Sequence, residues 1–350
     1  MTERPSVKRR LPAEWEPQSG IMLTWPHAYS DWQPILARVE PVFVSLCAHT
    51  SQREKVLIVA RDKNHQQHIL QRLTTAETEV DIGNIVFGIA QSNDSWARDH
   101  GAITVIENDR PVLLDFQFNA WGGKYDFQWD NQINTALRQQ KLFAVPLQTI
   151  SLILEGGSIE SDGVYTLLTN QCLLTRTRNP GLDKTQIESA LSTYLGITRF
   201  HWLSQGKLAG DDTDAHIDTL ARFVSKKQIA YVACNTETDE HFQPLQLMER
   251  ELSALRTADN QPYDLIPLPL PDAIYNDAGQ RLPATYANFL IINDAVLLPV
   301  YGQENDEQAL DTLQKCFPTR DIIAINCLPL IHQFGSLHCV TMQFPKGVLA

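Results

Sequence analysis

The sequence predicts an α/β fold made of repeated hairpin-plus-helix units. Three observations predict it: a recurring hairpin pattern, amphipathic stretches between the hairpins, and a polar cluster entering each unit at the same end. The hairpins come first. In "AITVIENDRPVLLDF", "GSIESDGVYTLLT", "TLARFVSKKQIAYVAC" and "NFLIINDAVLLPV", two apolar runs flank a turn at Asn108-Asp109, Asp162-Gly163, Lys226-Lys227 and Asn293-Asp294. "DKTQIESALSTYLG" and "NDEQALDTLQKCF" have helical spacing and a helix-opening Asp.

The polar clusters are "NDSWARD", "LEGG", "DDTDAHID", "TYAN" and "GSLHC". With Asp99, Glu155, His216, Tyr286 and Cys339 as their markers, the spacings are 56, 61, 70 and 53 residues, a repeat without sequence identity. An N-terminal unit from "SGIMLTWP" and "KVLIVA" would complete a set of five. Two architectures satisfy this pattern equally well: five units about an axis with their loops in one central pocket, or an ordinary α/β sheet with polar loops.

The 350 residues, 43% hydrophobic and 20% charged, supply enough apolar material for a buried core in one domain or two. The charged opening "MTERPSVKRR" lacks a following signal-peptide apolar stretch, and no run approaches the roughly 18 apolar residues of a membrane span. A soluble, cytoplasmic protein is expected. The six cysteines are scattered, which argues against a disulfide framework or a zinc site. A formal net charge of −12 argues against nucleic acid and suits a small cationic ligand.

Two chemistries compete for "DDTDAHID". Asp214, His216 and Asp218 fit a D-A-H-x-D signature of manganese ureohydrolases, but no G-G-x-H or late D-x-D-x-x-D-P accompanies it to complete a ligand set. Alternatively His216 serves Cys339 as acid and base, with Asp99 and Asp218 as fixed carboxylates; a thiol attacks as thiolate, which a nearby imidazolium or bound cation favours. Taken singly, each residue has a commoner role: a satisfied structural histidine, a small core cysteine, an Asp99 paired with Arg98 or His100. The two glycines of "LEGG" permit close backbone approach or positive φ. Trp96, Trp121 and Trp202 are candidates for lining a pocket, although tryptophan is more often core.

The ordered set "LPAEWEPQSGIMLTWP", "NDSWARD", "FQFNAWGGKYD", "LEGGSIESDG", "CLLTRTRNP", "DAHID", "YANFLIINDAVLLPVYGQENDEQAL" and "GSLHC" resembles the agmatine deiminase branch of the guanidine-modifying superfamily, also called the bacterial peptidylarginine-deiminase-like proteins. The resemblance runs from about Leu11 to Pro345. It implies a single catalytic domain over the whole chain, a five-bladed α/β propeller (the pentein fold) around a central site, and Cys339 as nucleophile. By the same resemblance the W-x-R-D aspartate falls on Asp99, the E-G-G glutamate on Glu155, the H-x-D pair on His216 and Asp218, and the H-C cysteine on Cys339. Trp96 and Asp212 are implied on the substrate side. Two departures, "DTDAHID" and "QFGSLHC", alter the surroundings of the substrate's far end, with Asp212 standing where the family has Glu.

The implied reaction is hydrolysis of agmatine to N-carbamoylputrescine and ammonia through a covalent cysteine intermediate, in putrescine biosynthesis, with no cofactor and no metal. A deiminase of free or peptide-linked arginine is the alternative within this chemistry. A manganese ureohydrolase or a non-catalytic polyamine-binding protein are alternatives from other classes. The expected partner is a small cationic guanidino substrate, with no nucleic acid and no membrane, and the sequence is compatible with a homodimer.

Overall fold

The turn residues close the hairpins the sequence predicts. Asn108 and Asp109 adopt φ of 49° and 63° between antiparallel strands Ile103–Glu107 and Arg110–Gln117, a left-handed pair that Asn and Asp tolerate better than most residues. Antiparallel pairing also joins Ile159–Ser161 to Tyr165–Thr169, Ala221–Ser225 to Gln228–Ala233, and Leu290–Ile292 to Ala295–Val300. The computed structural model describes residues 8–350, so the first seven residues of the charged N-terminal stretch lie outside the described residues.

Each hairpin gains a third strand that the sequence pattern leaves unread. Leu147–Ile153, Arg199–Leu203, Asp264–Pro269 and Asp321–Asn326 each lie parallel to the hairpin's second strand. A parallel neighbour needs a crossover, and helices Ile133–Gln139, Lys184–Leu195, Phe242–Ala254 and Asn305–Cys316 lie in those connections. The fifth sheet is assembled from both ends of the chain: Thr341–Pro345 runs antiparallel to Gln18–Thr24, which is followed in parallel by Lys55–Ala60 and Ile85–Ile89. The described residues thus form five separate sheets that share one unit, an antiparallel pair followed by a parallel strand, and two of the sheets add a fourth strand: Arg9–Arg10 beside Ile103–Glu107, and Ile85–Ile89 in the sheet just described.

The helices dock by the expected apolar spacing. Lys184–Leu195 starts with a capping box between Asp183 and Gln186, ends at Gly196 in the left-handed region (φ 73°), and buries Ile187, Leu191 and Leu195 along one face. Each such side chain contributes about 1.5–3 kcal/mol on burial, so Leu191→Ala would cost roughly 2–5 kcal/mol. Asn305–Cys316 departs from expectation in one respect. Asp306 does not cap it; its carboxylate accepts bonds from the Tyr286 hydroxyl and the backbone N–H groups of Tyr301, Gly302 and Gln303. Among the described residues no helix is long and apolar enough to cross a membrane.

Candidate active site

Asp99 sits in a single helical turn, Ala97–His100, that is tied to the turn before the last strand by an Arg98 N–H to Cys339 C=O bond of 3.1 Å. Its expected scaffolding partners turn elsewhere: the Arg98 guanidinium bonds Gln343 and the His338 carbonyl, and His100 Nε2 meets Thr24 Oγ1. Asp99 instead accepts from the Gly157 N–H at Oδ1 and the Trp121 indole N–H at Oδ2, both at 3.0 Å. Trp121 reaches it from a loop where Ala120 and Trp121 both adopt left-handed φ, 49° and 54°.

Glu155 precedes the turn Gly156–Ser158, and here the glycines act by close approach, since neither Gly156 nor Gly157 has positive φ. A Cβ on Gly157 would lie 2.6 Å from His216 Nδ1, 3.0 Å from Asp99 Oδ1 and 3.1 Å from Asp218 Oδ2. Three polar side chains therefore converge on one backbone position. His216 Nδ1 lies 3.7 Å from Asp99 Oδ1, and His216 Nε2 lies 3.7 Å from Glu155 Oε2. Among the described residues neither ring nitrogen has a hydrogen-bond partner, and neither does Asp218 Oδ1. Asp218 Oδ1 is a buried acceptor whose deficit a ligand rich in N–H groups can fill, whereas the ring nitrogens of a charged His216 are donors left free to give a proton.

Cys339 is buried and its thiol donates to Asn288 Oδ1 at 3.4 Å. It lines a pocket with Trp96, Asp99, Trp121, Tyr125 and Asp212, so the sequence's nucleophile candidate and both substrate-side candidates share one wall. Trp202 does not belong there; its indole N–H donates to Glu188 at 2.7 Å. Asp212 is not a free counter-charge: its carboxylate accepts from the Tyr125 hydroxyl at 2.6 Å and lies 3.4 Å from Lys124 Nζ. Tyr286, the fourth marker, bonds Asp306 away from the site, and its role falls to Asn288 two residues on.

Electrostatics separate the groups. Burial, reinforced by Asp218 and Glu155 against the opposing pull of His216, raises Asp99 to about 6. Burial opposes a charged His216, but Asp99, Cys172 and Glu155 together hold it well above its ordinary value. Asp218 and Glu155 stay low despite burial, the first through His338, the second through His216 and Arg178. Burial, then Asp218 and Asp99, push the Cys339 thiol well up. The resting site is an imidazolium among carboxylates with a neutral thiol.

Sequence reasoning missed Glu14, Cys172, Arg178, Asn288 and His338. Each lay inside or beside a motif already singled out: His338 next to Cys339, Asn288 in "TYAN", Cys172 and Arg178 in "CLLTRTRNP", and Glu14 in "LPAEWEPQSGIMLTWP". Arg178 is buried against Glu155 (3.1 Å) and Asp214, and Lys124 also lies on Asp214 at 3.2 Å. The first carboxylate of the D-A-H-x-D motif is thus engaged by two protein cations, which counts against its serving as a metal ligand. Glu155, Cys172 and His216 place one donor atom each within 4.8 Å of one another, the one such buried trio among the described residues. Arg178 already occupies its carboxylate, so a cation there meets a guanidinium.

The family model for Porphyromonas-type peptidyl-arginine deiminases matches residues 10–345. The chain belongs to this family. An agmatine deiminase of Medicago truncatula is 30% identical, with 96% of each chain covered. A cysteine-to-serine agmatine deiminase of C. jejuni, solved with substrate bound, superposes with a TM-score of 0.90 at 38% identity, covering 99% of each chain. A Porphyromonas gingivalis structure described provisionally as an arginine deiminase gives 0.91 at 44% identity, covering 98% of this chain and all of the other. These neighbours fix the α/β fold as that of the deiminase family, whose members carry two different substrate names.

Proposed function

We propose that this chain hydrolyses the guanidinium of agmatine to a ureido group and ammonia, giving N-carbamoylputrescine for putrescine formation. The observation that carries it is the convergence of Asp99, His216 and Asp218 on Gly157, beside a pocket floored by Cys339. A guanidinium is a planar fork of N–H donors, and the unpartnered Asp218 Oδ1 and the Asp99 carboxylate are acceptors suited to it.

The bound cation offsets the two carboxylates that keep the thiol protonated, so substrate binding favours the thiolate. The sulfur attacks the guanidinium carbon. His216, charged at rest, protonates a terminal nitrogen; the C–N bond breaks and ammonia departs, leaving a thiouronium on Cys339. Water then attacks that carbon while His216 takes one of its protons; the C–S bond breaks as the second proton passes to the departing sulfur, and the ureido product leaves behind the neutral thiol and charged imidazole of the resting site. Glu155, held by Arg178, keeps the imidazole oriented through both steps and favours its charged form at rest, while in the intermediate the ring is neutral and able to accept the proton from water.

Agmatine is preferred over arginine because the pocket wall carries Asp31, Asp94 and Asp212, an environment that attracts an amine and repels an α-carboxylate. The test is product identification with agmatine, arginine and a short arginine peptide side by side. N-Carbamoylputrescine formed at the highest kcat/KM supports the proposal; a preference for either arginine substrate overturns agmatine while keeping the chemistry, and urea release overturns the chemistry.

A further inference from the structure

Asp218 is not held by its own loop alone. His338 Nδ1 lies 2.7 Å from Asp218 Oδ2, and the opposite nitrogen, Nε2, lies 2.8 Å from Glu14 Oε2. Glu14 in turn accepts from Arg222 Nη2 at 2.8 Å and, through Oε1, from the Ile291 N–H at 2.7 Å. All four side chains are buried. Glu14 and His338 line a separate cavity behind the site, together with Arg98 and Glu160, and neither lines the pocket that holds Cys339. Asp218, which His338 holds, is the one of the four buried side chains that also meets the Gly157 position shared with Asp99 and His216, so Glu14 and His338 act on the site through it.

Two carboxylates on one imidazole need two protons between three groups, because a carboxylate only accepts. Burial, Arg222 and Arg98 outweigh Glu14 and Asp218 and lower the ring below its ordinary value. The short contact at each nitrogen nonetheless calls for a donor at each, which an imidazolium between two carboxylates held low supplies. With Oδ2 fixed by that ring, Asp218 can turn only Oδ1 toward a ligand, and Oδ1 is the oxygen without a partner among the described residues.

We propose that His338, braced by Glu14, is a positioning residue that orients Asp218 and holds it ionised for guanidinium binding. This rests on the reading of the site given above.

The experiment separates the two ring nitrogens. In His338→Asn the side-chain amide stands where Nδ1 stood and restores donation to Asp218; in His338→Gln it reaches toward Glu14 and leaves Asp218 unheld. Agmatine kcat/KM is expected within about tenfold of wild type for Asn and down by about 100-fold or more for Gln. Calorimetry in a Cys339→Ser background is expected to show the same ranking in agmatine affinity, a readout that does not depend on turnover or on the neighbouring thiol. Gln equal to or better than Asn in both measurements overturns the proposal, because filling the gap and pairing Glu14 would then be all that matters. If both His338 variants fail to fold, Glu14→Gln decides: affinity lowered at least about threefold supports it, unchanged affinity overturns it. A wild type that turns over no guanidino compound would sink the functional reading instead, so the two failures are distinct.

Discussion

Asp99 Oδ1 and His216 Nδ1 face one another at 3.7 Å, too far for a hydrogen bond and close enough for each to set the other's charge. Asp99 is the group raised to about 6. A carboxyl with a raised folded-state pKa contributes stability that is full below its unfolded value and lost as pH rises through its folded value. The stability gain of Asp99→Asn over wild type is therefore expected to be larger at about pH 7.5 than at about pH 5, while guanidinium binding is lost. In wild type, kcat/KM falls as pH drops below about 6, where Asp99 protonates. Thermal melts of both proteins across that range check the sign, and equal differences at the two ends would remove Asp99 as the strained charge.

Gly157→Ala tests the crowding directly. Its φ is ordinary, so any penalty comes from the methyl meeting His216, Asp99 and Asp218 within 3.1 Å and not from the backbone. A fall in kcat of about 100-fold or more is expected, with circular dichroism unchanged. Activity within a few-fold of wild type would place those three side chains further apart than described.

Cys339→Ser is expected to abolish turnover and leave agmatine binding largely intact, since a serine hydroxyl is far less ionised than a thiol near neutral pH. Intact-mass and peptide mapping of enzyme quenched during turnover is expected to place the adduct on Cys339 and on none of the other five cysteines. An adduct on Cys172, the thiol 3.7 Å from Glu155, would move the nucleophile.

Asp212→Asn is expected to raise KM for agmatine more than it lowers kcat, because an attraction at the far end of the substrate is made about equally in ground and transition states. Lys124 already neutralises part of that carboxylate, so the effect is modest, about three- to tenfold. A larger fall in kcat than rise in KM would assign Asp212 to the chemistry.

Exhaustive chelation is expected to leave activity unchanged, since every charge the reaction develops has a carboxylate or imidazole placed to meet it. Loss on chelation with recovery by manganese would instead make the Glu155–Cys172–His216 trio a working metal site.

The hairpins were legible because turn chemistry is local: Asn108-Asp109 and Asp162-Gly163 announce themselves within a few residues. The parallel third strands were not, because Arg199–Leu203 or Asp321–Asn326 finds its partner only across a crossover, and short apolar runs do not state which neighbour they will have. The same division holds in the site. Asp99, Glu155, His216, Asp218 and Cys339 lie in dense polar motifs that single them out. Asn288 lies two residues from the marker chosen for its unit, and Glu14 lies in the motif "LPAEWEPQSGIMLTWP", whose text does not tell that it reaches His338 across 324 positions. Asp212 was legible as an acid at the right place, but its neutralisation by Lys124 depends on a second loop folding over it.

The sheet built from both chain ends has a consequence for synthesis. Gln18–Thr24 is made before its antiparallel partner Thr341–Pro345 and before every other described strand lying between them in the chain, and Cys339 stands at the entrance to that partner. Until then one edge of the first-made sheet is uncovered, a surface prone to pairing with other chains. Cys339, the thiol proposed to attack, thus follows Asp99, His216 and Asp218 in synthesis, and a growing polypeptide has the carboxylates proposed to grip the substrate before it has the sulfur.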